Sequence, residues 1–205
     1  MRVLIGCESS GAVRRAFRAL GHDAWSCDLL PADDGDPHHI QGDVLEAMMG
    51  GWDLGIFHPP CTYLSVSGLH WNGRVPGRAE KTEEALEFVR AIMAAPIPRV
   101  AIENPVSCIS SRIRKPDQTI QPYWFGHDAS KRTCLWLQNL PLLVATGPYV
   151  EPRVVNGRPR WANQTDGGQN RLGPGPNRWK QRSATYEGIA RAMADQWGGL
   201  EVYSQ

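Results

Sequence analysis

Two short polar motifs, each placed after a run of apolar residues, carry side chains that could do chemistry. The first is HPPC at residues 58–61, after the apolar run at 54–57, and the second is ENP at residues 103–105. A sheet strand cannot continue through two prolines, because proline lacks the backbone donor and fixes φ. The first motif therefore predicts that Cys61 stands on a stiff turn at the carboxyl end of a strand, where a thiol can act as a nucleophile.

Alternating apolar and amphipathic segments indicate which elements position these motifs. Short β-branched or apolar runs predict strands at residues 3–5, 24–27, 54–57, 99–102 and 133–137. Helical periodicity predicts helices at residues 12–20, 44–49, 82–95 and 186–197. This alternation favours a mostly parallel α/β sheet with helices on both faces, in which ligands bind at the carboxyl ends of the strands.

Three further groups fall at such strand ends. The turn GCESSG at residues 6–11 is similar to a nucleotide-binding loop but is not Gly-x-Gly-x-x-Gly. Asp28 ends the second predicted strand, where a carboxylate commonly holds ribose hydroxyls, although a solvated loop acid is an equal alternative. Asp43 could hold an adenine amino group, and it could as well be the N-cap of the helix that begins at Val44.

Composition excludes several classes of protein. The 205 residues suit one domain with a small appendage, and no apolar run approaches the roughly 20 residues of a membrane span. Five scattered cysteines favour reduced thiols in a cytoplasm, and a structural metal site is disfavoured because no Cys-x-x-Cys occurs. The net charge of +1 means that any nucleic-acid surface must be local.

The order of the two motifs resembles the DNA (cytosine-5) methyltransferases. In that family the Pro-Cys cysteine is the nucleophile and the Glu-Asn glutamate binds the pyrimidine edge, which assigns these roles to Cys61 and Glu103. The resemblance extends over nearly the whole chain, through SKRTCLWL at residues 130–137 to the last helix. It implies a Rossmann-like S-adenosylmethionine-dependent methyltransferase fold, with S-adenosylmethionine or a close derivative as cofactor and DNA as partner.

The resemblance also implies a set of site residues. The implied catalytic residues are Cys61, Glu103, Asn104 and Arg132. The implied cofactor-binding residues are Gly6, Glu8, Ser9, Gly11, Asp28, Leu29, Asp43, Val44 and Pro60. The implied nucleic-acid-binding residues are Ser65, Lys131, Arg158, Arg160, Trp161 and Trp179.

The chemistry of cytosine explains why a cysteine and a glutamate are needed. Carbon 5 is a poor nucleophile, and a thiolate that adds to carbon 6 converts the ring into an enamine that can attack an electrophilic methyl group. The negative charge that develops on the ring must be neutralised, which a carboxyl group sharing a proton with N3 can do.

The chain departs from the family in three places. The first loop lacks the aromatic-x-Gly-x-Gly-Gly pattern of the family. In the Gln-x-Arg-x-Arg element the second arginine is replaced by Cys134, so that Arg132 or Lys131 would have to contact the cytosine O2. Arg182-Ser183-Ala184-Thr185 stands in place of Gly-Asn-Ser ahead of the last helix, so a cation there could accept a donor bearing a carboxylate.

A fourth departure is size. We divide the chain into a catalytic core at residues 1–148, a segment at 149–182 in place of a target-recognition domain, and a C-terminal helix at 183–205. The middle segment is rich in Gly and Pro and has seven Lys and Arg against two acids. It predicts a flexible arm with little rigid structure, which neutralises phosphates and stacks bases on tryptophan.

The leading hypothesis is therefore a cytoplasmic DNA cytosine-5 methyltransferase with short or relaxed sequence preference. One alternative keeps the fold but acts on a free or single-stranded cytosine nucleotide, or uses a donor with a larger group. Another is a catalytically silent DNA-binding relative. An amino-methyltransferase is disfavoured because Cys61 stands where those enzymes have an aromatic residue, and an NAD dehydrogenase has no use for HPPC.

Overall fold

A computed structural model of the protein describes residues 1–175 and 178–200, and its centre is a seven-stranded sheet. The strands are β1 Arg2–Gly6, β2 Asp23–Asp28, β3 His39–Gln41, β4 Leu54–Phe57, β5 Arg99–Pro105, β6 Gln118–Ile120 and β7 Thr133–Gln138. They lie in the order β3-β2-β1-β4-β5-β7-β6. The first five are parallel, and β7 runs antiparallel between β5 and β6. This mixed α/β sheet confirms the predicted Rossmann-like methyltransferase fold.

Helices cover both faces of the sheet. They are α1 Ala12–Ala19, α2 Val44–Ala47, α3 Arg78–Met93, α4 Ile109–Arg112, α5 Arg178–Ser183 and α6 Glu187–Gly198. On one face α6 packs against α1 and buries Trp197 completely, whereas α3 packs on the other face through Leu86 and Val89. None of the described helices is long and apolar enough to cross a membrane.

Helix α3 begins four residues earlier than the predicted helix at 82–95. Gly77 precedes it in the left-handed conformation (φ 76°), which glycine adopts without a steric penalty. The first residue, Arg78, donates to the carbonyl of Thr62 and lies over the ring of Tyr63. The turn after Cys61 therefore contributes tertiary contacts to this first helical turn, and the apolar periodicity used for the prediction does not register them.

The segment predicted to be a flexible arm contains a β-hairpin, formed by β8 Arg153–Val155 and β9 Arg158–Arg160. Asn156 and Gly157 connect the strands with φ of 51° and 71°, as a two-residue hairpin turn requires. The hairpin corrects the prediction of little rigid structure. The short alternating strands around Asn-Gly were the sequence signal for it, and the high glycine and proline content obscured that signal.

Candidate active site

The HPPC motif forms a turn at the end of β4. The N–H of His58 still bonds to the carbonyl of Gly6 on β1 (2.9 Å), and the two prolines then end the strand. The carbonyl of Cys61 accepts the N–H groups of Leu64 and Ser65 at 3.1 and 2.9 Å, so Cys61 begins a helical turn. Its thiol is exposed, whereas Cys27, Cys108 and Cys134 are buried.

The ENP motif is the last part of β5 and does not follow the strand as predicted. Strand β7 pairs antiparallel with β5 as far as Pro105, so Glu103 and Asn104 lie opposite Leu135 and Cys134. The strand ends at the proline because that residue has no N–H to donate. Glu103 is only 7% exposed as a result, although it stands at the ligand-binding edge of the sheet.

Hydrogen bonds join the two motifs directly. The side-chain amide of Asn104 donates to the carbonyl of Pro59 at 2.7 Å, and Nδ1 of His58 lies 3.0 Å from Oε2 of Glu103. Beyond the motifs, the N–H of Val66 bonds to the carbonyl of Val106. The turn that carries Cys61 is thus held against the end of β5.

Glu103 is held as a carboxylate in this arrangement. Burial raises the pKa of its carboxyl, but the hydrogen bond from His58, the positive charge of Lys131 and the hydroxyl of Thr133 outweigh burial and leave the pKa lowered. A lowered pKa favours the charged form, whereas a proton donor must carry the proton. The side chain therefore needs a source of protons to act as an acid.

The positive charge of Lys131 influences the pKa of Glu103, whereas the charge of Arg132 influences other groups. The Arg132 charge affects Cys134 and Tyr123, and Arg132 is exposed at the start of β7. Lys131 is half-buried, and its backbone N–H bonds to the side chain of Gln121. Of the two cations that the sequence left as candidates, Lys131 is the one whose charge reaches the glutamate.

The first loop, beside the HPPC turn, leaves no room for side chains at Gly6. A Cβ there would come within 2.3 Å of Phe57 and 2.6 Å of Val44, so glycine is required for packing. Cys7 follows with φ of 59°, a left-handed conformation that is uncommon outside glycine. Gly11, at the end of the loop, is also left-handed and precedes α1. The loop is therefore a tight turn that brings its backbone to the sheet edge.

Two of the predicted cofactor ligands are used to cap helices. The buried carboxylate of Glu8 accepts the N–H of Val13 at 2.8 Å, which satisfies a free donor in the first turn of α1. Asp43 is the N-cap of α2 and accepts the N–H of Leu45 at 2.8 Å. For Asp43 the alternative reading is thus the observed one. For Glu8 the capping bond uses the side chain within the protein, and its cofactor role stays a prediction.

Asp28 and Asp43 nevertheless converge on one place. Burial, the charge of Asp28, the neighbouring Cys27 thiol and the charge of Asp43 together raise the pKa of the Cys7 thiol far above its usual range. Burial and the two carboxylates raise the pKa of Cys27 to about 11. The carboxylates therefore flank the end of β1. Asp28 is partly used already, since it accepts the N–H of Leu30 at 2.9 Å.

The remaining predicted cofactor residues surround that edge. Leu29 is 74% exposed beside Asp28, whereas Val44 is buried beneath Gly6 and is available only through its backbone. Ser9 lies 3.5 Å from Asp33, and Pro60 is exposed next to Cys61.

A buried arginine, Arg14, links the loop that contains Asp33 and Asp34 to this edge of the sheet. The sequence did not predict this contact. Arg14 on α1 is fully buried, donates to Ser26 at 2.6 Å and pairs with Asp34 at 2.5 Å. Asp33, next to it, pairs with Lys180 of α5 at 2.8 Å. Helical periodicity alone gave no signal, because Arg14 occupies an ordinary helix position and its partners come from a polar loop.

The predicted nucleic-acid-binding residues differ in availability. Trp161 is 7% exposed and stacks on Tyr123 at 4.1 Å, so the prediction that it stacks on a base is corrected by its burial. Arg160 donates to the carbonyls of Asp166 and Pro159, whereas the side chain of Arg158 is exposed and makes no hydrogen bond or ion pair within the described residues. The Trp179 side chain lies outside the part of the chain that the structure describes.

The hairpin segment is anchored next to Lys131. Asn163 exchanges two hydrogen bonds with the backbone of Ser130, at 2.9 and 3.0 Å, and the N–H of Ala162 bonds to Asp128 at 2.8 Å. Ser65, the remaining predicted nucleic-acid-binding residue, shares a hydroxyl hydrogen bond with Ser67. Its backbone forms an isolated β-bridge with Ser107. In the described residues no group of three or more His, Cys, Asp or Glu could hold a metal ion.

Comparison with known proteins shows a likeness to solved structures. No family model and no curated protein matches the chain. Among solved structures, a similar chain belongs to a proposed DNA modification methyltransferase encoded within a prophage (E. coli), with 16% identity and a TM-score of 0.47. The likeness covers 67% of this chain and 46% of that chain, so this chain matches less than half of the neighbour's length. The function must therefore be inferred from the residues of this chain.

Proposed function

We propose that the protein is an S-adenosylmethionine-dependent DNA methyltransferase that modifies carbon 5 of cytosine. The observation that carries the proposal is the junction of the two motifs: an exposed thiol on a turn that Asn104 and His58 bond to the end of β5, where Glu103 is buried. A nucleophile and a carboxyl group on adjoining strand ends suit addition to carbon 6 with protonation at N3.

In this proposal the side chains divide the work. The Cys61 thiolate forms a bond to carbon 6, and the Glu103 carboxyl gives a proton to N3 as the electron pair moves into the ring. Asn104 holds the Pro59 carbonyl and so positions the turn. After transfer to carbon 5, loss of the carbon 5 proton and departure of the thiolate restore the aromatic ring and free the enzyme.

The first loop fits an adenosyl cofactor. Gly6 and the left-handed Cys7 form a tight turn at the end of β1, and the carboxylates of Asp28 and Asp43 converge beside it. Asp28 would hold the ribose, as a carboxylate at the end of the second strand commonly does. When bound, S-adenosylmethionine supplies the electrophilic methyl group.

DNA would bind across Lys131 and the hairpin. Arg158 extends from β9 without a partner among the described residues, and the segment is anchored to the loop that precedes Lys131. Phosphate contacts give affinity but no sequence information. The hairpin segment is small, which supports a short or relaxed sequence preference.

A second candidate keeps the site and changes the donor. Helix α5 carries cations and is held near the first loop by the Lys180–Asp33 pair, since the backbone N–H of Asp33 bonds to Ser9. This placement favours a donor that carries a carboxylate. The mass of the group added to cytosine distinguishes the two candidate donors.

The test is to incubate the purified protein with DNA and donor and to identify the modified nucleoside by mass spectrometry. We expect 5-methylcytosine, or a heavier 5-substituted cytosine with the second donor. Modification of adenine, or of the exocyclic amine of cytosine, would contradict the proposal. Parallel reactions on duplex DNA, single-stranded DNA and free nucleotide distinguish the substrates.

A further inference from the structure

The pairing of His58 with Glu103 bears on the source of the proton for N3, which the chemistry of Cys61 does not explain. Addition of the thiolate requires a proton at N3, and Glu103, which would give it, is buried with its Oε2 3.0 Å from Nδ1 of His58. Which of these two atoms donates depends on where the pair holds its proton. Because Glu103 is buried, direct exchange of its proton with water is restricted, and a neighbouring group that holds a proton can supply it. The imidazole Nδ1 of His58, at 3.0 Å, is in position to supply it.

His58 has the features of a proton-carrying group. Its side chain is 9% exposed, as is that of Glu103, so the pair is shielded from solvent. Its other ring nitrogen, Nε2, is buried and makes no hydrogen bond within the described residues. A buried, unpartnered ring nitrogen at the strand edge costs stability unless it has a partner in the working enzyme.

We propose that His58 supplies the proton that Glu103 passes to N3 and takes it back when the thiolate leaves. The inference rests on the proposed cytosine chemistry. The imidazolium transfers its Nδ1 proton to Oε2 of Glu103 and becomes neutral, and the carboxylic acid protonates N3 as the bond to carbon 6 forms. When the thiolate departs, the N3 proton returns to Glu103 and then to His58. The pair ends unchanged, and the proton released to solvent is the one from carbon 5.

Other charged groups around the pair set its environment. Lys131, from the loop before β7, favours the charged form of Glu103, and Cys134 of β7 lies close enough for the Glu103 charge to affect its thiol. On the element that carries His58, Cys61 stands three residues away. The thiol must lose a proton while the pair must hold one, so the rate should fall at both low and high pH.

The test compares His58→Asn with the wild type. Asparagine places an amide N–H near the position of Nδ1, so it can still position Glu103 but carries no transferable proton. We expect the single-turnover rate to fall about 10²–10³-fold, the range of general acid catalysis, while the dissociation constants for S-adenosylmethionine and DNA stay within about twofold. The fall in rate at high pH should disappear in this variant.

Controls separate the roles. His70→Asn, an exposed histidine in the loop after Cys61, should behave as the wild type, and circular dichroism should show that both variants fold. If His58→Asn keeps the wild-type rate and pH profile, His58 only positions Glu103 and the inference is wrong. If the wild type modifies no cytosine carbon 5, the proposed function fails and this inference with it; a wild type active on cytosine beside an unaffected His58→Asn overturns the inference alone.

Discussion

The two halves of the ligand-binding edge use their polar side chains differently. At the ends of β1, β2 and β3, Glu8 and Asp43 cap helices and Asp28 bonds to its own loop, and only Nε of the nearby Arg14 is buried without a partner among the described residues. At the ends of β4 and β5, buried polar atoms of His58, Asn104 and Ser107 have no hydrogen-bond partner within the described residues. Satisfied groups stabilise the fold, whereas buried unsatisfied groups are costly unless a ligand meets them.

This contrast separates the effects of substitutions. Changes in the half of β4 and β5 should reduce activity and leave stability intact, whereas changes in the half of β1 and β2 should reduce stability or cofactor affinity. The hairpin shows the same contrast: the Arg158 side chain has no partner among the described residues, whereas the Arg160 side chain is bonded within the protein.

The largest effect is expected at Cys61. Cys61→Ser should abolish cytosine modification, because a serine hydroxyl is not ionised near neutral pH and cannot replace a thiolate as the nucleophile. Thermal unfolding should be unchanged, since the side chain is exposed. Cys108→Ser is the matched control: its buried thiol makes it destabilising, with turnover of the folded fraction retained. Substantial product from Cys61→Ser in the mass-spectrometric assay would remove the nucleophile from this turn.

A somewhat smaller loss is expected at Glu103. Glu103→Gln keeps the shape of the side chain but cannot pass a proton to N3, so the rate should fall about 10²–10⁴-fold. Single-turnover kinetics at saturating donor and DNA measure this directly. Gln138, at the exposed end of β7, provides a control through Gln138→Glu, which should leave the rate unchanged. Equal rates for wild type and Glu103→Gln would contradict the proposed acid.

In the other half, Asp28→Ala should weaken S-adenosylmethionine binding. The loss of charge-assisted hydrogen bonds to the ribose corresponds to about 1–3 kcal/mol of binding free energy, measured by calorimetry. Asp43→Ala is a useful comparison, because removal of an N-cap should cost about 1 kcal/mol of unfolding free energy. Unchanged affinity in Asp28→Ala would make Asp28 a loop acid.

Low pH should weaken the ion pairs that Asp34, in the loop next to α1, forms with Arg14 and Arg15 of that helix. Burial raises the pKa of Asp34, but hydrogen bonds from Arg14 and Arg15 outweigh it and lower the pKa to about 2. Because the folded pKa is depressed, the stabilisation is complete above the unfolded value near 4 and is lost as the pH falls toward 2.

Asp34→Asn should therefore lower the free energy of unfolding at pH 7 by about 1–2 kcal/mol, after allowance for solvent screening. It should also flatten the dependence of stability on pH in this acid range. Urea unfolding at several pH values measures both effects. Glu151→Gln, at an exposed position outside the helices and strands, is the control and should change neither. A pH dependence identical to the wild type would show that the pair contributes nothing.

The smallest effect is expected in the hairpin. Arg158→Ala should reduce the slope of log affinity for DNA against log salt by about 1, because one phosphate contact is lost, and should leave the melting temperature unchanged. Arg160→Ala should instead destabilise the hairpin segment, since Arg160 bonds to the backbone around Asp166. If Arg158→Ala leaves the salt slope as it is, DNA binds elsewhere.

The sequence by itself determined five of the seven strands, the order of the motifs and the position of Cys61, whereas the short strands β3 and β6 were not predicted. Apolar runs followed by prolines end strands for local steric reasons, and these reasons operate within a few residues. Strand β4 accordingly matches its prediction at Leu54–Phe57, and α6 differs by one residue at each end. The Asn-Gly signal for the hairpin is equally local, but the high glycine and proline content of the segment predicts a loop there.

Tertiary structure alone decided which polar groups are free to act. Glu8 and Asp28 look alike in sequence, yet one caps α1 with a buried carboxylate and the other keeps a half-exposed one. Trp161 packs on Tyr123, and His58 meets Glu103 across 45 residues of sequence. Hydrogen-bond satisfaction and burial depend on contacts between distant segments, and no local pattern records those contacts.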